Sequence, residues 1–489
     1  MKRIISVLLV LLMLFSFVAC NKEEENVEES NTSTTTDVIE SDDQTQVLDV
    51  QRMDFGGKEL AVLQRKNTNT ELYTEELTGE LVPDAVYKRN AFVEDYLKVK
   101  LIWKDAEGGY AEQKQALSNA LSTGEEVYHI TANYAYYAAP WAAENMFLDM
   151  NAIEDAQNHL DFTKAWWNQS YSKEATINGK LYFMVGDACT SAMERVECLT
   201  INEALVNDIL NESTEEFLNH VYDRTWTYEY FLQCIAQMGN GADTGMWGAS
   251  LQMNSTSIDG FLGALAINTV ERDDRGGATP DYDDERAINI GEALRTLYHS
   301  NPSVNAKEGW ENGINPFVDG TAMFYGGILK DISSTLKDLA WDYAVMPYPL
   351  WDENQTEYRS IPHDEYSILG IPSNVYESTE ATTAALEVMN YQSLQEVRPA
   401  LYEKSFKQRY MKTSFKAQMF DYVINNTYYD FGFIYTSAMG TTQTDGNAGF
   451  HCYRNYIRPA TAPGGLGSIV ETSMSVATTQ LAAFIEKFN

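Results

Sequence analysis

Basic residues are scarce in this chain, which has 35 Lys and Arg against 71 Asp and Glu among 489 residues and a formal net charge of −36. Nucleic-acid phosphates and anionic lipid surfaces are bound mainly through Lys and Arg. The charge balance therefore argues against nucleic acid as a partner. It names no ligand, because strong acidity usually serves solubility at the protein surface.

The sequence also lacks the short motifs that mark common catalytic sites. No G-x-S-x-G, H-E-x-x-H, G-x-x-x-x-G-K-[ST] or G-x-G-x-x-G occurs in it. The 6 histidines are scattered without the spacing of metal ligands, so neither a metal nor a cofactor is predicted. A pair of glycosidase-type carboxylates stays open, because such a pair is defined by separation in space.

Cysteine is rare as well, with 5 in the whole chain. Beyond Cys20, four are spread over the rest of the sequence at Cys189, Cys198, Cys234 and Cys452. Their spacing fits no zinc motif. Two disulfides are compatible with an exported protein, and Cys189 could pair with Cys198. Buried free thiols are the alternative.

One stretch alone is long and strongly apolar, from residue 4 to residue 18, and it follows the basic pair Lys2-Arg3. A positive start and a short apolar run predict a secretory signal over residues 1–19 and not a membrane span. The sequence FVAC at 17–20 resembles the lipobox of bacterial lipoproteins, with Phe where that family prefers Leu. The resemblance implies lipid attachment at Cys20 and a protein anchored to the bilayer at the extracellular face of the cytoplasmic membrane.

Residues 20–50 are acidic, rich in Ser and Thr and almost free of aromatic residues. Such a segment cannot bury a core and is predicted to be disordered. Like charges along it keep the segment extended. It is expected to hold a folded body away from the membrane.

Alternating strand and helix patterns begin after this linker. Strands are predicted at Glu59–Leu63, Leu97–Trp103 and Val127–Ile130, with helices at Asp84–Tyr96 and Tyr110–Leu121. This order is typical of an α/β fold with a mainly parallel sheet and helices on both faces. At this length the chain is expected to form two domains.

Aromatic residues crowd the loop that follows the third predicted strand. In open α/β sheets, ligands bind at the carboxyl ends of the strands. This places Asn133, Tyr134, Tyr136 and Tyr137 where a ligand could lie. The alternative is that one or two of these tyrosines only pack the next helix.

The stretch Ile177–Asn202 suggests a crossover between two lobes, with a strand-like run Leu181–Val185, then Gly-Asp and a second β-rich run. This stretch, with patches at 133–149, 317–327 and 415–435, resembles the extracellular solute-binding proteins of bacterial ABC importers, mainly those that bind carbohydrates. The resemblance covers roughly residues 55–489 in its order of elements.

That resemblance implies a two-lobed periplasmic-binding-protein type II-like α/β fold, each lobe a mainly parallel sheet flanked by helices, joined by crossover hinge strands. The first lobe is expected at 51–184 and 346–398, and the second at 185–345 and 399–489. The implied function is a monomeric, non-enzymatic lipoprotein that captures a mono- or oligosaccharide by hinge closure and delivers it to ABC permease transmembrane subunits. A surface glycan-binding lipoprotein without a permease and a glycan-active enzyme are the alternatives.

The resemblance and the predicted strand ends together suggest a ligand site between the lobes. Aromatic faces suit the C–H faces of sugars, and planar polar groups suit their hydroxyls. The predicted ligand-binding residues are Asn133, Tyr134, Tyr136, Tyr137 and Asp364 from the first lobe, Arg195, Tyr325 and Tyr435 from the second, and Asp187 at the crossover.

Three further segments remain, and the first two of them allow two interpretations each. Trp166 and Trp167 could stack on sugar rings or pack the lobe. The acidic segment 271–285 could hold calcium, but it lacks EF-hand spacing and is predicted to be an exposed loop. Residues 439–466 are rich in Gly, Thr and Ala and are predicted to be a loop.

Overall fold

Two separate β-sheets form the frame of the protein. The computed structural model describes residues 46–66, 69–407, 413–440 and 447–489. The predicted signal, Cys20 and the acidic linker up to residue 45 lie outside them. The strands are β1 (Lys58–Arg65), β2 (Val99–Ala106), β3 (Ile130–Tyr134), β4 (Glu197–Asn202), β5 (Trp247–Gln252), β6 (Val270–Arg272), β7 (Ala278–Pro280), β8 (Val304–Lys307), β9 (Ala322–Ile328), β10 (Tyr343–Met346) and β11 (Ser367–Gly370).

The first sheet has the strand order β11-β3-β1-β2, and the part of the chain built on it is called the first lobe below. Its β1 pairs in parallel with both β2 and β3, whereas β11 runs antiparallel to β3. The carboxyl ends of β1, β2 and β3 therefore share one edge with the start of β11. This edge is where the first lobe can present side chains to a ligand.

The second sheet has the order β10-β4-β9-β5-β8 and carries the second lobe. Two of its pairings are parallel and two are antiparallel. The ends of β5, β8 and β9 lie at one edge, together with the start of β4. A separate β6–β7 hairpin, residues 270–280, overlaps the acidic segment 271–285.

Helices flank both sheets and bury apolar stripes against them. The helix Leu81–Leu97, for example, buries Val86 and Val93 and ends at Lys98 with a left-handed φ of 51°. Helices of eight or more residues span Leu81–Leu97, Tyr110–Thr123, Thr214–Tyr222, Tyr228–Ala236, Ser255–Ala264, Glu285–Ser300, Trp310–Val318, Thr379–Gln392, Ser414–Asn425, Phe450–Ile457 and Leu466–Ile485. None in the described part of the chain has the length and apolar character to span a membrane.

Three connections link the lobes. The first runs through the short helix Thr190–Glu194 into β4, and the second lies between β10 and β11. The third consists of the π-helical turns Ser393–Val397 and Pro399–Lys407. Their positions are consistent with the crossovers expected from the sequence, and the exact lobe boundaries stay a prediction.

Some local expectations were wrong. The run Leu181–Val185 forms no regular strand and makes one isolated bridge, Met184 to Leu369, although its apolar side chains are buried. The third strand begins at Ile130, later than expected, because Val127 is exposed ahead of it. Within the predicted loop 439–466, the segment Phe450–Ile457 is a helix whose buried face the composition did not reveal.

The structure distinguishes between the two interpretations of the cysteines and of the acidic segment 271–285. The four cysteines after Cys20 are buried free thiols, the second of the two alternatives. No group of three or more His, Cys, Asp or Glu able to hold a metal occurs in residues 46–66, 69–407, 413–440 and 447–489. In the acidic segment, Asp273 instead accepts hydrogen bonds from the backbone of Arg275 and Gly277.

Trp166 and Trp167 pack inside the first lobe. Their indole N–H groups donate to the two oxygens of Glu387, at 3.1 and 2.8 Å. Burial raises the pKa of Glu387 to about 8. Both tryptophans are almost fully buried, so neither offers a face to a sugar ring.

Replacing Glu387 with Ala is expected to lower the free energy of unfolding by about 2–4 kcal/mol, because two buried indole N–H groups lose their acceptor. Urea denaturation measures the change. Glu380→Ala, on the exposed side of the same helix, is the matched control and should change stability by about 0.5 kcal/mol or less. Equal effects of the two substitutions would contradict this account of the tryptophan pair.

Candidate functional site

The strand-end edge of the first lobe carries a cluster of charged and aromatic side chains. Arg65 ends β1, and its guanidinium lies 4.5 Å from the ring centroid of Tyr134, which ends β3. The Tyr134 hydroxyl donates to Asp364 Oδ1 at 3.3 Å. Parallel strands bring these residues together although the sequence separates them widely.

An aromatic row extends from this cluster. The Tyr137 ring stands edge-on to Tyr134 with a centroid distance of 4.9 Å, and lies flat on Tyr110 at 3.5 Å. Beyond them is a cavity of ≈ 330 Å³ that includes Ser437 from the second lobe. Its lining consists of Tyr110, Ala111, Lys114, Gln115, Ser118, Tyr137, Pro140, Trp141 and Ser437.

The second lobe meets the first through Arg195, which follows the first connection. Its Nη2 forms an ion pair with Oε2 of Glu365 at 3.0 Å, just before β11. Close by, Nε2 of His363 lies 2.9 Å from Oγ of Ser255, the first residue of a second-lobe helix. Polar contacts therefore bridge the facing edges.

The electrostatics of the cluster follow from its partial burial. Desolvation lowers the pKa of Arg65, while Glu365 and Glu71 act in the opposite direction. Burial and the neighbouring Asp364 raise the pKa of Tyr134 above its ordinary value. The guanidinium of Arg65 can donate hydrogen bonds to a polar ligand, whereas the Tyr134 hydroxyl, whose proton goes to Asp364, can accept one.

Five predicted site residues are not part of this cluster, although the buried ring of one of them, Tyr136, stands edge-on to Tyr137 with a centroid distance of 4.8 Å. Asn133 donates to Thr131, and the Tyr435 hydroxyl donates to the carbonyl of Ala175 at 2.7 Å. The structure brings together four of the predicted site residues: Tyr134, Tyr137, Arg195 and Asp364. Four others have buried side chains: Asn133, Tyr136, Tyr325 and Tyr435. The ninth, Asp187, lies against Arg398.

Asp187 is at the hinge. It faces Nη1 of Arg398 at 3.5 Å, which joins the first connection to the third. Burial raises the pKa of Asp187 to about 6. It lines a separate cavity of ≈ 160 Å³ together with Trp167 and Tyr429.

Sequence reasoning missed Arg65 and Glu365. Arg65 is the last residue of β1, at the edge where ligands bind in α/β proteins. That positional signal was available in the sequence. The sequence could not distinguish Glu365 from its acidic neighbours, because its contact with Arg195 depends on how the first and second connections between the lobes pack together.

The arrangement of Ser255, His363 and Asp364 resembles a catalytic triad in its distances, since Nδ1 of His363 lies 3.4 Å from Asp364. However, the backbone N–H of Glu365 donates to that same Nδ1 at 3.3 Å. Burial lowers the pKa of His363, so the ring is neutral with its proton on Nε2. Nε2 then donates to Ser255 and cannot accept its proton, as nucleophilic catalysis requires.

A buried acidic side chain, Glu197, lies near Asp364 of this arrangement. Glu197 begins β4 and is fully buried, with Asp259 and Asp364 as its nearest negative charges. Arg454 donates to Asp259 at 2.7 Å. Burial raises the pKa of Glu197 well above its ordinary 4.5 and that of Asp259 to about 7.

Comparison with known proteins gives structural relatives only, since neither a family model nor a curated protein matches the sequence. The ABC substrate-binding protein Lmo0181 from Listeria monocytogenes, solved with cycloalternan, has 12% identity and a TM-score of 0.54 over 87% of this chain and 99% of its own. The galacto-N-biose-/lacto-N-biose I-binding protein of a Bifidobacterium longum ABC transporter, solved with lacto-N-biose, has 12% identity and a TM-score of 0.57, covering 88% and 98%.

A cyclo/maltodextrin-binding protein solved with maltotetraose has 10% identity and a TM-score of 0.56, covering 87% of this chain and 97% of its own. Matches of this extent at such low identity show a common fold. They confirm the predicted two-lobed periplasmic-binding-protein type II-like α/β architecture.

Glu197→Gln is expected to raise the melting temperature at about pH 7.5 and to leave it unchanged at about pH 4. Burial holds the pKa of Glu197 in the folded protein above that in the unfolded chain, so its contribution to stability is full below about pH 4.5 and is lost as pH rises and the unfolded chain ionises. Glutamine avoids that loss. Thermal unfolding at both pH values measures the difference, with the exposed Glu353→Gln as the control.

A Glu197→Gln protein that is less stable than the wild type at about pH 7.5, with a smaller loss at about pH 4, would instead show that the ionised carboxylate itself stabilises the fold.

Proposed function

We propose that this protein is the substrate-binding protein of an ABC transporter, and that it captures a mono- or oligosaccharide between its lobes by hinge closure. The single observation that carries the proposal is the aromatic and charged cluster at the facing strand ends, where Arg195 of the second lobe meets Glu365. The fold supports it, because the three solved relatives are carbohydrate-binding proteins, two of them expressly of ABC systems.

The chemistry of the cluster suits a polyhydroxyl ligand. Sugar hydroxyls that are buried without partners cost about 1–3 kcal/mol each, so a sugar site must offer donors and acceptors of fixed geometry. Arg65 and Arg195 provide donors, and Asp364 and Glu365 provide acceptors. Tyr137 and Tyr110 provide aromatic surface beside them.

Hinge closure requires a ligand that contacts both lobes, because it must bind the closed state better than the open one. Tyr134, Tyr137 and Asp364 are the proposed first-lobe contacts, and Arg195 is the proposed second-lobe contact. Ser437 brings second-lobe surface to the aromatic cavity. A closed complex would then be delivered to the transmembrane subunits of a permease.

Lipid attachment at Cys20 is the proposed anchor, with the folded body outside the cell on an acidic tether. This part of the proposal depends on the sequence FVAC at 17–20 alone. A surface lipoprotein that tethers glycans without a permease would share the anchor and the sugar site. A transporter protein would differ in having permease genes beside it and in enclosing a short ligand.

Isothermal titration calorimetry of the purified protein against mono- and oligosaccharides tests the proposal. Stoichiometric binding of a short saccharide, with the ligand recovered unchanged, is the expected result. Cleavage of the sugar would favour a glycan-active enzyme instead. Binding of long polymers only would favour a surface lipoprotein that tethers glycans without a permease.

Tyr137→Ala is expected to weaken binding of that saccharide by roughly 10- to 100-fold, because the row loses an aromatic face at the cavity. Tyr376→Ala is the control, since Tyr376 is a first-lobe tyrosine with an exposed fraction of 67% and lies outside the cavity. Calorimetry gives both dissociation constants. A Tyr137→Ala protein with wild-type affinity and wild-type melting temperature would remove Tyr137 from the site.

Cys20→Ser is expected to abolish incorporation of a clickable fatty acid and to release the protein into the culture medium. The reason is that the lipid on Cys20 is the proposed attachment of the protein to the membrane. Labelling of cells followed by affinity capture measures both effects. Persistent labelling of the variant would place the lipid, if any, at another residue.

A further inference from the structure

Asp187 and Arg398 lie on different connections between the lobes and form a wide ion pair. Oδ1 and Oδ2 of Asp187 both lie 3.5 Å from Nη1 of Arg398. Hydrogen bonds between charged groups are typically shorter, at about 2.8 Å. Arg398 therefore compensates the charge of the carboxylate only in part.

Asp187 is held by the first lobe. Its backbone N–H donates to the carbonyl of Trp166 at 2.9 Å, and the N–H of Ala188 donates to Oδ1 of Asn390 at 3.0 Å. A Cβ at Gly186 would come within 2.2 Å of the same Asn390 oxygen, so this glycine permits the close approach. Because these partners pack inside the first lobe, Asp187 moves with that lobe.

Arg398 is held from the side of the second lobe. It belongs to the third connection, between its two π-helical turns. Its guanidinium lies 5.9 Å from the ring centroid of Tyr402, and the Tyr402 hydroxyl donates to Asp421 on a second-lobe helix. A rotation of one lobe against the other therefore changes the distance between Arg398 and Asp187.

A cavity of ≈ 160 Å³ beside the pair reaches both lobes. Asn168 lines it from the first lobe, and Asn425, Thr427 and Tyr429 line it from the second. A water molecule occupies about 30 Å³ in the liquid, so the cavity has room for several beside the carboxylate. Asp187 itself keeps an exposed fraction of 8%. The carboxylate can therefore exchange a proton with solvent although it is nearly buried.

The charge state of Asp187 depends on few neighbours. Among the described residues, Arg398 is the one charged side chain whose field acts on it, and burial outweighs that field, which raises the pKa of Asp187 to about 6. The titratable neighbours without charge are the Cys189 thiol and the Tyr429 phenol, and burial raises the pKa of both. Of these three acids, only Asp187 changes charge near pH 6.

Protonation of Asp187 is linked to the geometry of the lobes. In a geometry that admits more water to the cavity, the pKa of Asp187 returns toward its ordinary 3.8. The described geometry is therefore favoured at low pH, and this advantage is lost as pH rises through about 4 to 6. Between about pH 5 and pH 7 these two pKa values change the ratio of the geometries by up to roughly tenfold.

We propose that Asp187 and Arg398 form a proton-sensitive hinge, in which protonation of Asp187 favours the described geometry of the lobes and ionisation favours a geometry with a more hydrated cavity. In the described geometry, Arg195 already meets Glu365 across the lobes. Lower pH therefore favours contact between the facing edges and tighter capture of the saccharide. The effect on affinity rests on the proposed function, whereas the effect on lobe geometry requires no ligand.

Energy transfer between two dyes measures the lobe geometry without a ligand. One dye is attached to Glu380→Cys in the first lobe and the other to Glu229→Cys in the second, in the Cys20→Ser protein. Both positions are exposed, and the four native thiols beyond Cys20 are buried. With the wild-type hinge, the transfer efficiency is expected to change between about pH 5 and pH 7. Asp187→Asn, which cannot ionise, is expected to keep the value of about pH 5 throughout.

Arg398→Gln provides a readout that a purely structural residue would not change. Because Arg398 lowers the pKa of Asp187, its loss is expected to move the midpoint of the transition to higher pH. Asp155→Asn is the matched control, since Asp155 is an exposed first-lobe aspartate outside the cavity. A transition of wild-type amplitude in Asp187→Asn, or a midpoint that Arg398→Gln leaves in place or lowers, would overturn the proposal.

Calorimetry with the saccharide found for the wild type measures the effect on capture. The wild type is expected to bind about three- to tenfold more tightly at about pH 5 than at about pH 7, and Asp187→Asn to bind equally at both. Melting temperatures of all variants confirm that folded proteins are compared.

The failures of the two proposals are distinguishable. If a saccharide binds but Asp187→Asn keeps the wild-type pH dependence of affinity and of energy transfer, the hinge proposal is wrong and the proposed function stands. If energy transfer depends on Asp187 as expected but no saccharide binds in the screen, the proposed function falls and the hinge proposal stands.

Discussion

The pairing of the first connection with the second is the constraint on which the site depends. Glu197 donates its backbone N–H to the carbonyl of Ile361, and His363 donates to the carbonyl of Arg195, both at 2.9 Å. These two bonds flank one isolated antiparallel bridge, between Val196 and Pro362, which sets which residues of the two connections lie opposite each other. For this reason Arg195 faces Glu365.

Glu71 joins the first connection to β11 of the first lobe through hydrogen bonds to Ser191 and Ser367. Its carboxylate is buried and accepts from the N–H and hydroxyl of Ser191 at 2.9 and 2.7 Å, and from the hydroxyl of Ser367 at 2.8 Å. A buried carboxylate is tolerated only with such partners. One acidic side chain therefore ties the first connection to β11, so the hinge and the strand-end edge of the first lobe form one unit.

The fold could be predicted from the sequence more fully than the site could. Alternating helix and strand patterns predicted the order of the first elements, from the strand at Glu59–Leu63 to the strand at Val127–Ile130. The strand predicted at Leu181–Val185 was wrong because an apolar pattern indicates burial and does not show whether a neighbouring strand is there to form hydrogen bonds. The helix Phe450–Ile457 was missed because its glycine- and threonine-rich surroundings obscured a short periodic segment.

Site residues were harder to predict because their roles depend on which way a side chain points within a strand. Tyr134 and Tyr136 are two residues apart, yet the first reaches Asp364 while the second packs against His451 inside the protein. The change comes at Ala135, where the strand ends and a short helix begins. Tyr325 likewise lies on a strand of the second lobe but faces its interior, and tertiary packing decides this.

Charge balance within the cluster bears on the kind of ligand that is proposed to bind there. The chain carries a net charge of −36, yet the cluster combines two guanidinium groups, Arg65 and Arg195, with the carboxylates Asp364 and Glu365. A charged ligand enclosed among groups that already compensate one another would lose its hydration without gaining a partner of opposite sign. A neutral polyhydroxyl ligand can instead use the outward donors and acceptors of each pair. The cluster therefore suits an uncharged saccharide better than an ion, whatever the charge on the surface around it.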